Sequence, residues 1–544
     1  MGATLRALRA LVLLCGFYLL SLVLLAALAA FDVAAVAWGH GAVAGKIVLV
    51  SVVLAIPVVR GMFMLRTPKD DGPVGLSVTE ADEPRLWALV RELAAATGTR
   101  APDTVVLTGD VNAAVDEEPR LLGLRPGPRR LHLGVPLLTG LTEAQFTAVL
   151  AHEYGHFTGG DTRLSALAVR GRVQIGRTVG HFHAKADSKE AAERARQQQA
   201  AARRTAKGKK AKEIDTAGAG ITYRLMAAIY TAYAKLYMRA TLSTARAQEY
   251  AADLAAARIA GRDATASALR EIPVLATAHD FYLESYATLG VTARRLPPRG
   301  QFFGGFGRML TARGAELARM REKLPTEPVS PYDSHPPIAD RVLRIEALPP
   351  DGHGDQDGGP ALALLADPAR TLAALEDAVL TDEVRQFERA GEWEQLLGSS
   401  MAAGLASLDT PLHRALASHT RDRPTLPALL TVIDDGQLWQ LAQRLPLSEQ
   451  AAAAQGRAFR ESVRPVLRDS LQSMVLAEFS ARSLLHWEFS WSRPASVRLP
   501  GSASDLDGEA GTEAALAAAV NAALADHPDT APLRALLPPA PQPA

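Results

Sequence analysis

The residues best placed to do chemistry form the stretch His152-Glu153-Tyr154-Gly155-His156. Histidines four positions apart share one face of a helix, so both imidazoles can reach a single metal ion. Glu153 would project beside that ion, where it can take a proton from water and return it to a leaving amine. The preceding Val149-Leu150-Ala151 predicts a buried helix, in which polar side chains need partners. The pattern predicts a zinc site that hydrolyses peptide bonds, and the alternative is a chance match on a surface helix.

A zinc site of this kind needs a third protein ligand. The metzincin spacing fails, because Gly159 fits but Thr162 stands where that pattern has its next histidine. Further along, Glu249 and Asp253 are four apart and would share a helix face. Glu249 could complete a tetrahedral set, and Asp253 could accept a hydrogen bond from a ligand histidine. The alternatives are a solvated acidic face or another acid as the third ligand.

Three motifs in this order resemble the HtpX-type heat-shock membrane proteases and CAAX prenyl proteases. They are HEYGH at 152–156, EYAAD at 249–253 and SHPP at 334–337, and the resemblance covers Glu80 to Leu348. It implies a gluzincin fold, in which a helical metalloprotease domain carries a small sheet beside the active-site helix. It also implies Zn²⁺ as cofactor, Glu249 as the third ligand and Asp253 as the partner of a ligand.

The same resemblance assigns roles to three other places in the chain. Asn112-Ala113-Ala114 looks like the family motif on an edge strand, which an extended substrate joins by backbone hydrogen bonds. His335 falls on the His-Pro motif and would stabilise the oxyanion. Asp161 would cap the active-site helix or hold a neighbouring histidine. For Asn112 to Ala114 and for His335, the alternative is an ordinary turn or loop residue.

Short periodic segments predict the elements that position these residues. Apolar spacing indicates a helix over Glu83–Ala96, and Thr142 followed by Gln145 indicates the start of a helix that runs to Thr158. Strands are expected at Thr104–Leu107 and Arg130–Val135. Gly220 to Gly261 would be one long helix or two. The fold class expected is mainly α with a small β-sheet.

The N-terminal 70 residues predict a transmembrane helical hairpin, with spans at about residues 10–30 and 47–65. Basic residues flank both outer ends of the hairpin: Arg6, Arg9, Arg66 and Lys69. That distribution places both ends, and the catalytic domain after them, in the cytoplasm. Alanine- and arginine-rich composition suggests a bacterial cell membrane. The alternative is a signal peptide cleaved near Ala27-Leu28-Ala29.

The chain departs from the HtpX pattern between the HExxH motif and the third ligand. HtpX-type members have two further spans there, whereas Thr162–Val179 and Gly220–Leu242 carry several Arg and Lys residues and cannot be simple spans. Both segments are amphipathic, with basic and apolar or aromatic faces. Between them, His181 to Ile214 has few large apolar residues and predicts a basic, partly disordered arm.

A proline- and glycine-rich linker at 349–360 ends the metalloprotease domain of 80–348. Residues 361–525 predict a mainly helical C-terminal domain of unknown role. Its exception is Leu485–Trp491, which alternates like a strand. Residues 526–544 predict a proline-rich disordered tail.

Together these features predict a membrane-anchored zinc metalloendopeptidase whose partners are protein or peptide substrates and membrane lipid. The net charge of +1 gives no indication of nucleic-acid binding, and Cys15 as the one cysteine excludes a cysteine-rich metal site. An alternative is a zinc-bearing, non-proteolytic scaffold with the C-terminal domain as an interaction module. The intact Glu153 argues against it. Processing of prenylated proteins is a further alternative, which the missing multi-span chamber disfavours.

Overall fold

The computed structural model describes residues 3–38, 41–63, 74–117, 127–157, 162–207, 210, 215–216, 218–322, 336–350, 358–498 and 506–537. The chain folds into two compact units. The first consists of Met1–Thr108, Asn112–Pro273 and Arg321–Ala366, and the second consists of Gly109–Val111, Val274–Met320 and Asp367–Ala544. Val274–Met320 therefore groups with the C-terminal part of the chain, whereas the sequence suggested one continuous domain over 80–348.

The elements up to residue 348 are α1 Ala3–Trp38, α2 Gly41–Phe63, β1 Gly75–Val78, α3 Pro84–Ala96, β2 Thr104–Thr108, β3 Ala113–Glu117, β4 Arg129–Gly134, α4 Val135–Gly140, α5 Glu143–Gly155, α6 Thr162–Ala206, α7 Ile221–Ala260, α8 Arg262–Tyr282, a π-helical turn Leu283–Ala287, β5 Arg295–Leu296, α9 Gln301–Ala312, α10 Gly314–Glu322 and α11 Ile338–Glu346. Those that follow are a 3-10 turn Ala361–Leu364, α12 Pro368–Val379, α13 Asp382–Arg385, β6 Glu388–Arg389, α14 Trp393–Ala406, α15 Pro411–Thr420, α16 Leu426–Asp434, α17 Leu438–Ala442, α18 Glu449–Ala453, α19 Gly456–Ala481, β7 His486–Glu488, β8 Ser496–Arg498, α20 Leu506–Ala523 and α21 Ala531–Leu536. The expected class, mainly α with small sheets, is confirmed.

A four-stranded sheet in the first unit has the order β1-β2-β4-β3. β2 and β4 are parallel, and the outer pairs are antiparallel. Leu107 lies opposite Leu133, and both are fully buried. β2 is a continuous apolar run that is buried over most of its length, as suits a strand inside the sheet. Val135, which the alternation assigned to a strand, begins α4 instead. Pro136 follows it, and proline suits the first turn of a helix because it has no N–H.

Four helices of the first unit, α1, α2, α6 and α7, pack together around an apolar cluster. Phe17 of α1 is fully buried, and its ring centroid lies 5.6 Å from that of Tyr230 on α7. Tyr230 also stacks on Phe182 of α6 and hydrogen-bonds the Ser21 hydroxyl at 2.8 Å. The expected amphipathic face is present on α7: Tyr223 and Tyr237 are buried on the same side as Tyr230. That face packs against the N-terminal helices.

The sequence predicted a basic, partly disordered arm at 181–214, but α6 continues without a break to Ala206. The prediction of disorder is therefore wrong for residues 181–206. The physical reason is that Ala, Glu, Gln, Lys and Arg are strong helix formers even where no core demands a helix. The Arg194 guanidinium pairs with Glu190 one turn earlier, at 3.1 Å. Gln197 exchanges hydrogen bonds with the backbone of Asp215, which ties the return segment to the helix. Residues 208–209 and 211–214 lie outside the described residues.

Among the described residues, one helix is long and apolar enough to cross a membrane, at Val12–Trp38. The apolar part of α2, Val43–Ile56, is shorter than the roughly 20 residues that a spanning helix needs. One membrane anchor is therefore supported. The second span of the hairpin stays a prediction.

The second unit is mostly helical, as expected, and α15, α16, α17, α19 and α20 contribute to an apolar core of its own. The strand predicted at Leu485–Trp491 is present only as β7, which pairs with β8. The disordered tail predicted from 526 is wrong at α21, where Leu533 is buried in this core and Arg534 pairs with Asp434 at 2.6 Å. Pro532 falls in the first turn of α21, where proline is tolerated, so a proline-rich composition did not prevent a helix.

Candidate metal centre

The helix α5 carries the HExxH motif and begins as the sequence predicts. The Thr142 hydroxyl accepts a hydrogen bond from the Gln145 N–H, and the Gln145 side chain accepts one from the Thr142 N–H, which completes a capping box. The helix ends at Gly155, earlier than the expected Thr158, and His156 follows as its C-cap residue. Phe146, Leu150 and Tyr154 are fully buried on α5, so the motif lies on a core helix and the surface-helix alternative is excluded.

Helix α7 packs closely along α5 and brings in the downstream carboxylates. Gly155 of α5 lies directly against Ala252 of α7. Ala252 is flanked on α7 by Glu249 and Asp253, both buried. Since α7 is one continuous helix from Ile221 to Ala260, its position fixes both acids relative to the histidines.

The donor atoms of His152, His156 and Glu249 converge on one point. A Glu249 carboxylate oxygen lies 3.7 Å from His152 Nε2, and the other lies 3.7 Å from His156 Nε2. One donor atom from each residue lies within 4.8 Å of the other two. Zinc takes nitrogen and oxygen ligands at about 2.0–2.2 Å, so a small inward movement would let all three bind one ion. In the described part of the chain, this is the one cluster of three or more His, Cys, Asp or Glu residues close enough to do so.

Asp253 holds His152 in the orientation that metal binding requires. A carboxylate oxygen of Asp253 lies 3.0 Å from His152 Nδ1, which leaves Nε2 of that ring on the side of Glu249. A histidine that donates from one ring nitrogen presents the other as a metal ligand. The imidazoles of His152 and His156 and the carboxylate of Glu249 are a donor set that fits zinc and leaves a fourth position open. Asp253 supports this set through His152 and is not itself a ligand.

Arg341 on α11 completes this arrangement, and sequence reasoning missed it. Its guanidinium donates two hydrogen bonds to Asp253, at 2.9 and 2.6 Å, and lies 3.6 Å from Glu249. Burial raises the pKa of Asp253, but the hydrogen bonds from Arg341 and His152 hold that pKa below its usual range. The sequence did contain one indication of this role: Arg341 falls on the apolar face of a short helix, where a charged side chain needs a partner. Arg341, Val342 and Ile345 are all buried there.

Glu153, the expected general base, directly follows His152 on α5, and its side chain is half-buried. Its charge acts on Arg341. Burial lowers the pKa of Arg341, whereas the carboxylates of Asp253, Glu249 and Glu153 raise it, and the net result is a pKa above the usual value. Arg341 therefore keeps its proton. Glu153 and the candidate ligand Glu249 therefore both lie close enough to Arg341 to act on its charge.

The edge strand expected near Asn112 is present as β3, at the outer position of the sheet. Ala113 and Ala114 lie on β3, and Asn112 precedes it and accepts a backbone hydrogen bond from Gly134 at 2.7 Å. β3 pairs with β4 on one side and packs beside α5. The structure thus brings the strand next to the helix that carries the histidines. Asp161 and His335 lie outside the described residues.

Comparison with known proteins gives one match. Residues 80–348 match the model described as peptidase family M48. No curated protein and no solved structure matches the chain. The matched segment contains the whole cluster of His152, His156, Glu249, Asp253 and Arg341.

Proposed function

Since the chain belongs to peptidase family M48 through residues 80–348, we propose that it is a membrane-anchored zinc metalloendopeptidase. Membership of this family indicates a metallopeptidase. That the enzyme cuts internal peptide bonds is part of our proposal. The observation that carries it is the convergence of His152, His156 and Glu249, with donor atoms within 4.8 Å of one another. His152 and Glu153 lie on the core helix α5, and His156 caps its C-terminal end, so one helix brings all three together.

Each residue of the centre has a distinct role in the proposal. His152, His156 and Glu249 would hold Zn²⁺, which when bound polarises the scissile carbonyl and lowers the pKa of water. Glu153 takes the proton from the attacking water and passes it to the leaving amine. Asp253 keeps His152 in the tautomer that leaves Nε2 to the metal, and Arg341 keeps Asp253 ionised and oriented.

The substrate would bind as an extended strand along β3. The outer edge of β3 offers backbone N–H and C=O groups to a peptide, as edge strands do when a further strand joins a sheet. Asn112, Ala113 and Ala114 are the residues expected to bind it. The small side chains of Ala113 and Ala114 suit this position because a peptide can approach the backbone closely. His335 would stabilise the oxyanion, and Asp161 would support the end of the active-site helix or a histidine.

The anchor would be the N-terminal hairpin. Helix α1 is long and apolar enough to span a bilayer, and α2 would return across it. The basic residues before α1 and after α2 favour the cytoplasm for both ends, so the metal centre would face the cytoplasm of a bacterial cell. Substrates would then be extended or misfolded protein segments at the membrane surface.

The test is digestion of casein by the purified full-length protein, with and without a zinc chelator. Glu153→Gln should abolish cleavage while zinc stays bound, because Glu153 is not a ligand in this scheme. The matched control is Glu92→Gln, which makes the same change at an exposed position on α3 and should leave cleavage unchanged. Chelator-sensitive cleavage by Glu153→Gln would disprove the mechanism. A wild-type protein that binds zinc but cleaves no peptide would favour the scaffold alternative.

A further inference from the structure

The outward side of α7 is apolar along the first half of the helix. Ile221, Leu225 and Leu236 are 60%, 64% and 54% exposed. Ala228 and Ala232, which are also exposed, lie between them on the same side, and we call these five residues the outer stripe. A contiguous exposed apolar surface usually marks a contact with another protein or with a membrane. The outer stripe therefore needs an apolar partner.

The outer stripe lies beside the apolar helix α1. The Ser21 hydroxyl is 2.8 Å from the Tyr230 hydroxyl. The Tyr233 hydroxyl donates a hydrogen bond to the Leu13 carbonyl. Leu13 and Ser21 belong to the segment Val12–Trp38, which is long and apolar enough to cross a membrane. The part of α7 that carries the outer stripe is therefore at the same level as this candidate span.

The exposed surface of α1 is also apolar at this level. Its large apolar side chains that are more than half exposed there are Val12, Leu19, Leu22 and Val23. Since α1 and α7 pack against each other, their exposed surfaces belong to one helix cluster. A layer of acyl chains covers both surfaces at once, because burial of apolar surface in hydrocarbon requires no specific fit.

The interior of this cluster contains hydrogen-bonded polar side chains. Besides the contact of Ser21 with Tyr230, the buried Gln174 of α6 exchanges hydrogen bonds of 3.0 and 3.2 Å with the Tyr18 hydroxyl. The Thr178 hydroxyl, also buried, donates to the Gln174 carbonyl. Polar groups are thus paired inside the cluster while aliphatic side chains face outwards. Helices in hydrocarbon require this arrangement.

The basic residues at one end of the cluster lie near the start of the apolar segment of α1. Gly171 of α6 lies against both Leu14 and Tyr237. Arg172 and Arg239, one and two positions further along their helices, are therefore at the same level. Long basic side chains can reach the membrane surface from such positions. This end of the cluster suits the interface between lipid and water.

The other end of the cluster carries an ion pair and the continuation of α6. Ala186 of α6 lies against Gly220, directly before α7. One turn further, Arg224 of α7 pairs with Glu190 of α6. Pairing reduces the cost of placing these charges close to hydrocarbon. Arg177, between the two ends, is half-buried and has an interaction partner.

The dimensions of the helices agree with a position inside a bilayer. Ile221 to Leu236 extends over about 23 Å, against about 30 Å for the hydrocarbon core. Because α7 is one continuous helix, Glu249 of the metal centre lies about 20 Å beyond Leu236, outside this region. In the opposite direction α6 continues to Ala206 with a sequence rich in charged and amide side chains, which need water.

From these observations we propose that α6 and α7 lie in the bilayer beside α1, with the outer stripe against lipid acyl chains. The charged end of α6, residues 187–206, then lies in water on the opposite side of the membrane from the metal centre. Each segment taken alone has too many charges to cross a bilayer, but packing in the cluster pairs the polar groups or brings them to its ends. This placement rests on the membrane anchor proposed above, and it depends neither on zinc nor on catalysis.

The first test determines on which side of the membrane the end of α6 lies. Cys15→Ala removes the one cysteine, and Ala200→Cys then adds a thiol at an exposed position of α6. Ala95→Cys makes the same change at an exposed position of α3, in the first unit. Each full-length protein is labelled with a charged, membrane-impermeant maleimide in sealed right-side-out and sealed inside-out vesicles. We expect the two thiols to react in opposite preparations, each about tenfold faster than in the other, because a bilayer blocks a charged reagent.

The second test determines what covers the outer stripe. Leu225→Cys, on the same cysteine-free background, carries a nitroxide spin label in vesicles of phosphatidylethanolamine and phosphatidylglycerol. Ala251→Cys, at an exposed position of α7 beyond the outer stripe, is the matched control. A label in lipid collides more with apolar oxygen than with a water-soluble nickel complex. We expect this preference at Leu225 and the reverse at Ala251.

Reaction of the Ala200 and Ala95 thiols in the same preparation would overturn the proposal. A preference for the nickel complex at Leu225 would overturn the contact with lipid, and shielding from both reagents would do so too, because it would show a protein partner on the outer stripe. A protein that alkaline carbonate strips from the vesicles would overturn the membrane anchor as well. The other outcomes leave the anchor intact, so the two failures can be told apart.

Discussion

Gly155 and Ala252 bring the two halves of the metal centre into contact. A Cβ placed on Gly155 of α5 would lie 2.9 Å from the Cα of Ala252 on α7, closer than real Cβ atoms come to backbone. The absence of a side chain at Gly155 is what lets the two helices approach. Glu249, on α7, thereby comes within 3.7 Å of both histidines.

Gly155→Ala should therefore separate the helices and weaken the metal site. We expect a loss of about 1–3 kcal/mol in the free energy of unfolding, the usual cost of overpacking, together with lower zinc affinity. The control is Gly176→Ala on α6, where a Cβ meets nothing within 4 Å and where alanine favours the helix. Thermal unfolding and zinc titration measure the two effects. Equal zinc affinity in wild type and Gly155→Ala would show that the close approach is not needed.

Glu249→Gln should abolish tight zinc binding and peptide hydrolysis, because it removes the carboxylate from the donor set. The matched control is Glu284→Gln, since Glu284 is another downstream acid and is exposed. Zinc content after dialysis, measured by atomic absorption, separates the two variants. Normal zinc content in Glu249→Gln would contradict the role of Glu249 as the third ligand.

Asp253→Asn should weaken zinc binding about 10- to 100-fold without removing a ligand. The amide can still accept a hydrogen bond from His152 but no longer pairs with the charge of Arg341. A zinc-chelator competition titration gives the affinity. If the affinity stays within twofold of wild type, the contact between Asp253 and His152 does not tune the site.

Arg341→Met should destabilise the first unit by about 3–5 kcal/mol, because it leaves Asp253 buried without its cation. Chemical denaturation of the purified protein measures this loss. Zinc affinity of the folded fraction should also fall, since Asp253 loses the group that orients it. Arg344→Met on the same helix is the control: Arg344 is exposed and stacks on Tyr250, and its loss should cost little. Equal stability of the two variants would contradict the proposed role of Arg341.

The hairpin topology predicts that a reporter fused after Lys69 is active only in the cytoplasm. A fusion after Trp38, between α1 and α2, should show the opposite behaviour and serves as the internal control. Phosphatase fusions, which are active only outside the cytoplasm, report the two positions. Phosphatase activity of the Lys69 fusion would overturn the two-span topology and favour a cleaved signal peptide.

Local patterns were sufficient to predict much of the catalytic helix. Thr142 and Gln145 are three residues apart, and His152 and His156 four, so their relationships depend on helix geometry alone. The strands at Thr104 and Arg130 were predictable for a similar reason, because a short apolar run indicates the first and alternation of apolar residues indicates the second. These features need no knowledge of where the rest of the chain lies.

Other features depend on segments far apart in sequence, and only the tertiary structure decided them. Arg341 follows Asp253 by 88 positions, and its pairing with that buried acid depends on where α11 packs. Likewise, Tyr282 stacks on Trp491, so Val274–Met320 packs with the C-terminal part of the second unit. The composition of the linker at 349–360 could not reveal this grouping. Spacing along a helix is fixed by backbone geometry, whereas the partner of a buried charge or ring is chosen by packing, which no local pattern contains.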